Sequence, residues 1–317
     1  MKKQFLCLLI LFCALLPGCK AEPEMPAVGI CYRDRNEDSL APVLEEKLTA
    51  CGWQVRWADA KNDQWRQDAQ IEELLTEGCR VMIVEPVMRT TAQSTVEQLR
   101  KNGIPGIFLR NRPEDAVLTS WDKVCFVGCD KAQPGVLQGQ ILLKTPNAGD
   151  VNGDGVVSYV LLQGPEDDMD ASLRSQGCIR TMGAQSRCLS RCCCSWSVPA
   201  ARAACARELM RQGSTVEAVF CGSEVLTLGA LEAAQYAGRN PGKDIYLVGL
   251  GTGSGALELI KKGILAGTVT EDLTAQAAQT AQVVQLLLSD APTEREYYVN
   301  HKVLTAKELD QINQAAS

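Results

Sequence analysis

Histidine is almost missing from this chain: its 317 residues include one, His301. That excludes metal sites built from several imidazoles. It also excludes a histidine-dependent triad unless His301 is itself the base. No G-x-S-x-G nucleophile elbow occurs, so a hydrolase would need some other thiol- or carboxylate-based pair. There is no excess of positive charge. With 32 Lys+Arg against 38 Asp+Glu the net charge is −6, the wrong sign for neutralising a phosphate backbone. Aromatic residues are scarce at 5%. The longest apolar run, Phe5 to Leu16, has 12 residues, against about 20 for a membrane-spanning helix.

What is present begins with an export signal. Lys2 and Lys3 precede the short apolar run, which suits the h-region of a secretory signal. Leu16-Pro17-Gly18-Cys19 follows and resembles a bacterial lipobox, with Cys19 as the lipidated residue. A plain signal cleaved near Gly18 is the alternative. The expectation is an exported chain held at the outer face of the cytoplasmic membrane or in the periplasm by a lipid anchor. The rest has an ordinary globular composition, 46% apolar and 22% charged, with length for two domains.

Strand and helix patterns alternate along the chain. Ala27 to Tyr32, Trp53 to Ala58, Val81 to Val84, Ile107 to Leu109 and Lys123 to Val127 read as strands, with helices at about 39–50, 63–77 and 90–101. The pattern restarts with a helix at 133–143. Strands follow at 156–162, 218–221, 245–249 and 266–270, and helices at 170–182, 199–211, 224–237, 255–262 and 273–288. The alternation predicts an α/β fold of two doubly wound parallel-sheet lobes with a ligand cleft between them.

Fifteen cysteines are many for an exported chain. Cys31, Cys79, Cys125, Cys205 and Cys221 fall at apolar positions and read as small buried hydrophobes. Cys188, Cys192, Cys193 and Cys194 could form a soft-metal cluster, although no partner CxxC exists. They lie in Gln185 to Ala204, a Cys-, Ser- and Arg-rich stretch with no strand alternation and no helical face before Val198. It reads as a divergent loop or as an out-of-frame stretch of coding DNA.

Three motifs suggest chemistry. Asp150 to Ser158 (DVNGDGVVS) carries oxygen side chains at alternate positions and Gly at the sixth, as a loop wrapping a hard cation requires. Its twelfth position is Leu161, so it is not an EF-hand, and a remote carboxylate must complete any site. A simple turn is the alternative. Gly249 to Gly255 (GLGTGSG) links a strand to a helix, lacks the G-x-G-x-x-G spacing and the P-loop Lys, and reads as a flexible ligand-facing loop or as plain turn glycines. Asp167, Asp168, Asp170 and Arg174 follow the strand ending at Leu162. Asp170 and Arg174 share a helix face, either as a surface pair or as a grip on ligand hydroxyls.

Taken together, Asn62-Asp63-Gln64, Ile104-Pro105, Asp122-Lys123, Val127-Gly128, Gln138-Gly139, the Asp150 loop, Gly229 to Ala233 and Leu265 to Val269 resemble the periplasmic galactose/glucose-binding family that serves ABC sugar importers. The resemblance implies two lobes joined by three crossings: 27–129 plus 272–300, and 130–271 plus 301–317, after a 1–19 signal and lipobox. It also implies a structural Ca²⁺ held by Asp150, Asn152, Asp154, the Val156 carbonyl, Ser158 and Glu217. The implied ligand contacts are Asp170, Arg174, a stacking Trp196, Asp168 in place of a His, and Asn36, Arg110 and Asn111 from the first lobe. Ser223, Gly251 and Glu271 stand where the family has hydroxyl-binding Asn and Asp. An opposing aromatic is replaced by Asp38. The extra acid at Asp168 and Glu271 raises the expectation of a donor-rich ligand such as an amino sugar.

These observations imply a monomeric, non-enzymatic, extracytoplasmic lipoprotein that binds a galactose- or glucose-like monosaccharide and delivers it to the membrane subunits of an ABC permease. A sensor presenting its ligand to a membrane receptor kinase is the alternative, and a hydrolase a remote one.

Overall fold

The structure is a computed structural model and describes residues 25–36, 38–253 and 255–315. The export signal and Cys19 lie outside the described residues.

Two six-stranded sheets are built on the same plan. The first comprises β1 (Ala27–Tyr32), β2 (Gln54–Asp59), β3 (Cys79–Val84), β4 (Gly106–Leu109) and β5 (Val124–Gly128). Its helices are α1 (Leu40–Ala50), α2 (Gln64–Thr76), α3 (Ala92–Asn102) and the short α4 (Asp115–Thr119), which the sequence reading did not anticipate.

The chain then crosses to the second lobe through α5 (Gln133–Leu143). That lobe contains β6 (Val157–Gln163), α6 (Met169–Met182), β7 (Ser186–Cys193), α7 (Val198–Gln212), β8 (Ala218–Cys221) and α8 (Glu224–Tyr236). β9 (Tyr246–Leu250), α9 (Ala256–Lys261) and β10 (Gly267–Thr270) complete its central run. The chain returns to the first lobe for α10 (Leu273–Leu288) and β11 (Glu296–Tyr298), then crosses again for β12 (Lys302–Leu304) and α11 (Ala306–Ala315).

The strand orders are β11-β5-β4-β3-β1-β2 and β12-β10-β9-β8-β6-β7. All pairings are parallel except β10 with β12. Central strands such as β1 (AVGICY) and β6 (VSYVLLQ) are buried at every position. A parallel strand covered by helices on both faces selects such continuous apolar runs. Helix starts after the strands are fixed by side-chain caps. Asp63, Asp168, Ser223 and Asp272 each accept the amide three residues on, satisfying a donor that the helix leaves open.

The 185–204 stretch is neither a loop nor a break in the fold. It forms edge strand β7, paired with β6 through a register shift, and the start of α7. The strand escaped the sequence reading because an edge position buries little: only Cys192 of β7 is fully buried. Cys188 is half-buried, Cys192 and Cys194 are buried, and Cys193 is exposed, so the four sulfurs do not share one environment. Burial pushes the Cys194 thiol up to about 11 and that of Cys125 up to about 12, which keeps them protonated and unreactive. Among the described residues all the cysteines are free, and no helix is long and apolar enough to cross a membrane.

Candidate ligand-binding site between the lobes

The three crossings are tied to one another. The carbonyl of the Gln133 side chain accepts from the His301 backbone N–H at 2.7 Å and faces His301 Nδ1 at 2.8 Å. The Gln133 amide donates to Asn300 at 2.7 Å, and Lys302 bridges to Asp272 at 2.8 Å. A cavity of about 400 Å³ opens beside this hinge, at the carboxyl ends of the second-lobe strands. Ligands bind at that end of doubly wound sheets.

The cavity wall is strongly polar. Arg110 comes from the first lobe, Lys131, Glu271 and His301 from the crossings, and Asp170, Arg174 and Glu224 from the second lobe. Arg110 donates to Asp38 at 2.5 Å and to Glu271 at 3.0 Å. Burial opposes its charge, but Glu271, Asp38 and Glu85 outweigh burial and raise its pKa. Burial likewise pushes the Glu271 carboxyl up, yet Arg110 and Lys131 bring it below the ordinary glutamate value. Asp170 reaches across to Arg89 of the first lobe at 2.8 Å and to Lys131 at 3.2 Å. Those two cations overcome its burial and keep it ionised.

Arg174 differs from the other cations. It donates to the Gly222 carbonyl at 2.6 Å, its Nε is buried without a partner, and burial lowers its pKa. Among the described residues, buried side-chain polar atoms without partners also include Asp38 Oδ2 and Gln276 Oε1, which sit directly behind Arg110 and Glu271. Buried polar atoms are rarely left unpaired. Among the described residues, three of the four such atoms belong to Arg174, Asp38 and Gln276, which lie in or just behind the cavity wall.

Of the residues expected to contact ligand, Asp170, Arg174, Arg110, Gly251 and Glu271 line this one cavity. The others do not. Asp168 caps α6 by accepting from Ala171 N, and Ser223 caps α8. Asn111 donates to the Pro86 carbonyl at 2.9 Å. Asn36 lies in a separate surface cleft with Trp57 and Arg66. The ring of Trp196 lies over Gly164, with the Arg174 guanidinium 6.0 Å from its centroid. Lys131, Glu224 and His301 are wall residues that the sequence reading passed over. Proximity to a predicted crossing was the only signal available for His301, and the one-residue offset from Ser223 hid Glu224.

The 150–158 loop lies at the opposite end of the second sheet. Both oxygens of Asp150 accept loop amides, from Gly153 and Gly155, while Asn152 and Asp154 accept from Asp154 N and Val156 N. Glu217 is fully buried; it accepts from Val151 N, Asn152 N and Ser158 N at 2.8–3.0 Å. The donor chemistry suits a hard cation. The arrangement, however, does not gather three acidic groups on one point, and no such metal-holding cluster exists among the described residues.

The periplasmic binding protein domain matches residues 36–292. The chain belongs to the periplasmic binding protein family. Its curated relatives include the D-galactose/methyl-galactoside binding periplasmic protein of Haemophilus influenzae, 28% identical over 246 residues that span 75% of this chain and 73% of the relative. The ribose import binding protein of Bacillus subtilis is 23% identical over 287 residues, 86% of this chain and 88% of the relative. Among solved structures, a periplasmic ribose ABC transporter protein from Conexibacter woesei superposes with a TM-score of 0.77 at 18% identity, covering 92% of this chain and 95% of the other. An ABC transporter periplasmic solute binding protein from Actinobacillus succinogenes, solved with bound D-allose, gives 0.75 at 17% identity, covering 90% and 99%. These confirm the two-lobed periplasmic-binding-protein fold. The curated relatives are named as binding proteins, and family membership implies an extracytoplasmic location.

Proposed function

We propose that this protein is the extracytoplasmic binding component of an ABC importer and that its ligand is a neutral monosaccharide. The observation that carries the reading is the hinge-side cavity, whose wall combines the donors Arg110, Lys131 and Arg174 with the acceptors Asp170, Glu224 and Glu271. Sugars present hydroxyls that donate and accept at once, which suits such a wall. The ligands for which similar proteins are named or with which they were solved, galactose, ribose and allose, support the same class. Two ion pairs meet across the cleft, Arg89 with Asp170 and Arg110 with Glu271. Ligand binding stabilises the closed pair of lobes, and the permease reads that form. A thermal-shift screen against monosaccharides tests the reading, because a ligand that binds only the native state raises its melting temperature. No shift with any sugar at millimolar concentration would refute it.

Tethering through Cys19 belongs to the same proposal, supported by the Leu16 to Cys19 sequence. A mature N-terminus that carries no lipid in mass spectrometry would exclude it. Ca²⁺ bound by the 150–158 loop with Glu217 is proposed as a stabilising element away from the cavity, and rests on donor chemistry alone.

A further inference from the structure

The cavity contains three carboxylates, and only one of them lacks a cation. Asp170 is held by Arg89 and Lys131, and Glu271 by Arg110. Among the described residues Glu224, the first residue of α8, forms no ion pair, and its carboxylate accepts one bond, from Gly253 N at 2.9 Å. Of the three cavity cations, Arg110 and Lys131 are similarly occupied, and Arg174 alone faces no carboxylate within ion-pair distance.

The position of Glu224 depends on missing side chains. A Cβ built on Gly253 would lie 2.4 Å and 2.7 Å from the two Glu224 carboxylate oxygens. One built on Gly251 would lie 3.2 Å from Oε2, and Gly251 has φ +97, a region that other residues rarely adopt. The carboxylate thus rests in the space that side chains at these two wall positions would fill. The Gly-rich turn after β9 accommodates an acidic group supplied by α8.

We propose that Glu224 is a ligand-contacting and specificity-determining residue, accepting hydroxyl hydrogen bonds opposite the donor Arg174. One spare negative and one spare positive group cancel, so the preferred ligand is a neutral polyhydroxyl compound rather than an amino sugar or a sugar acid. Glu271, which suggested an amino sugar in the sequence, is neutralised by Arg110. The inference rests on the sugar-binding reading and narrows it.

The test is calorimetric titration of the full mature chain, Glu224→Gln and Gly253→Ala. The probes are D-galactose, D-glucose, D-allose, D-ribose, D-galactosamine and D-galacturonate, and ligand-free melting temperatures are measured in parallel. The expected result is that a neutral sugar binds best and Glu224→Gln weakens it about tenfold or more, the usual scale for a hydrogen bond to a charged group. Gly253→Ala, whose added methyl displaces an intact carboxylate, should weaken it comparably. The ligand-free melting temperature of Glu224→Gln should match wild type, since the glutamine can still accept from Gly253 N. Equal affinity in wild type and both variants would remove Glu224 from the site and leave the sugar reading standing. Tighter binding of galactosamine or galacturonate would overturn the charge balance. Binding by no member of the panel would defeat the sugar reading and this inference together. If Glu224→Gln does not fold, Gly253→Ala decides.

Discussion

The two ends of the second sheet hold carboxylates in opposite circumstances. At the amino ends of its strands, Glu217 is fully buried and both its oxygens are occupied by backbone amides. At the carboxyl ends, among the described residues, Glu224 has one amide and no cation, and Arg174 Nε has no partner. Both ends look equally polar in the sequence. They differ in whether the chain itself consumes its hydrogen-bonding capacity. Where it does, the polar groups hold the fold; where capacity is left over, a ligand is needed to use it.

The largest effect that could break this comparison is at Glu217. Replacing it with Ala leaves three amides without their acceptor, one of them on the buried Ser158. Each unsatisfied buried donor costs about 1–3 kcal/mol, with relaxation and water recovering part. A loss of roughly 3 kcal/mol or more in urea denaturation is expected, with ligand affinity of the folded fraction unchanged. Stability equal to wild type would mean that the amino end is no better satisfied than the cavity. EDTA sharpens the same measurement. If Ca²⁺ also binds there, chelation lowers the melting temperature, Ca²⁺ restores it, and Glu217→Ala abolishes the difference. A metal-loaded protein indifferent to EDTA would leave the amides as sole support.

Asp170→Ala should have a smaller effect, of a different kind. The side chain joins Arg89 and Lys131 across the cleft and is partly solvated. Its removal should therefore leave the melting temperature nearly unchanged, as for most exposed ion pairs. It should weaken ligand binding at least tenfold, because a closed cleft would then hold two uncompensated cations. Unchanged affinity by calorimetry would make the pair a surface bridge.

Most of the fold was legible because buried parallel strands leave continuous apolar runs, as β1 and β6 do. β7 was not, since an edge strand of Ser, Arg and Cys obeys no burial pattern. Spacing encoded geometry at Asp170 and Arg174, which line one cavity. At Asp168 and Ser223 the sequence could not separate the two uses, because the residue types that grip hydroxyls are also those that cap helices, and the structure shows them as caps. Glu224 was missed by one residue, at Ser223. The glycines at 251 and 253 were visible as a possible ligand-facing loop, but the sequence does not show that the space above them holds a carboxylate from α8.

The smallest expected effect concerns His301, the chain's single imidazole. A backbone N–H can only donate, so the Gln133 atom that receives the His301 amide is its carbonyl oxygen. The same oxygen faces His301 Nδ1, which must then carry the ring proton and leave Nε2 bare in the neutral form. Burial holds the pKa below its ordinary value of 6.5 against the pull of Glu271; Lys131 and Arg174 add to the lowering, and Asp130 opposes it. The unfolded chain therefore takes up a proton at higher pH than the folded chain does. Stability from this group is complete above pH 6.5 and declines as the pH falls from there toward the folded pKa. Unfolding free energies at pH 7.5 and 5.5 should differ more in wild type than in His301→Gln. Carboxylates of lowered pKa titrate below this window, and wild type and variant share them. Equal pH slopes in the two proteins would show that Glu271 compensates the burial in full. His301 would then belong with Glu217 among the groups that the chain itself satisfies.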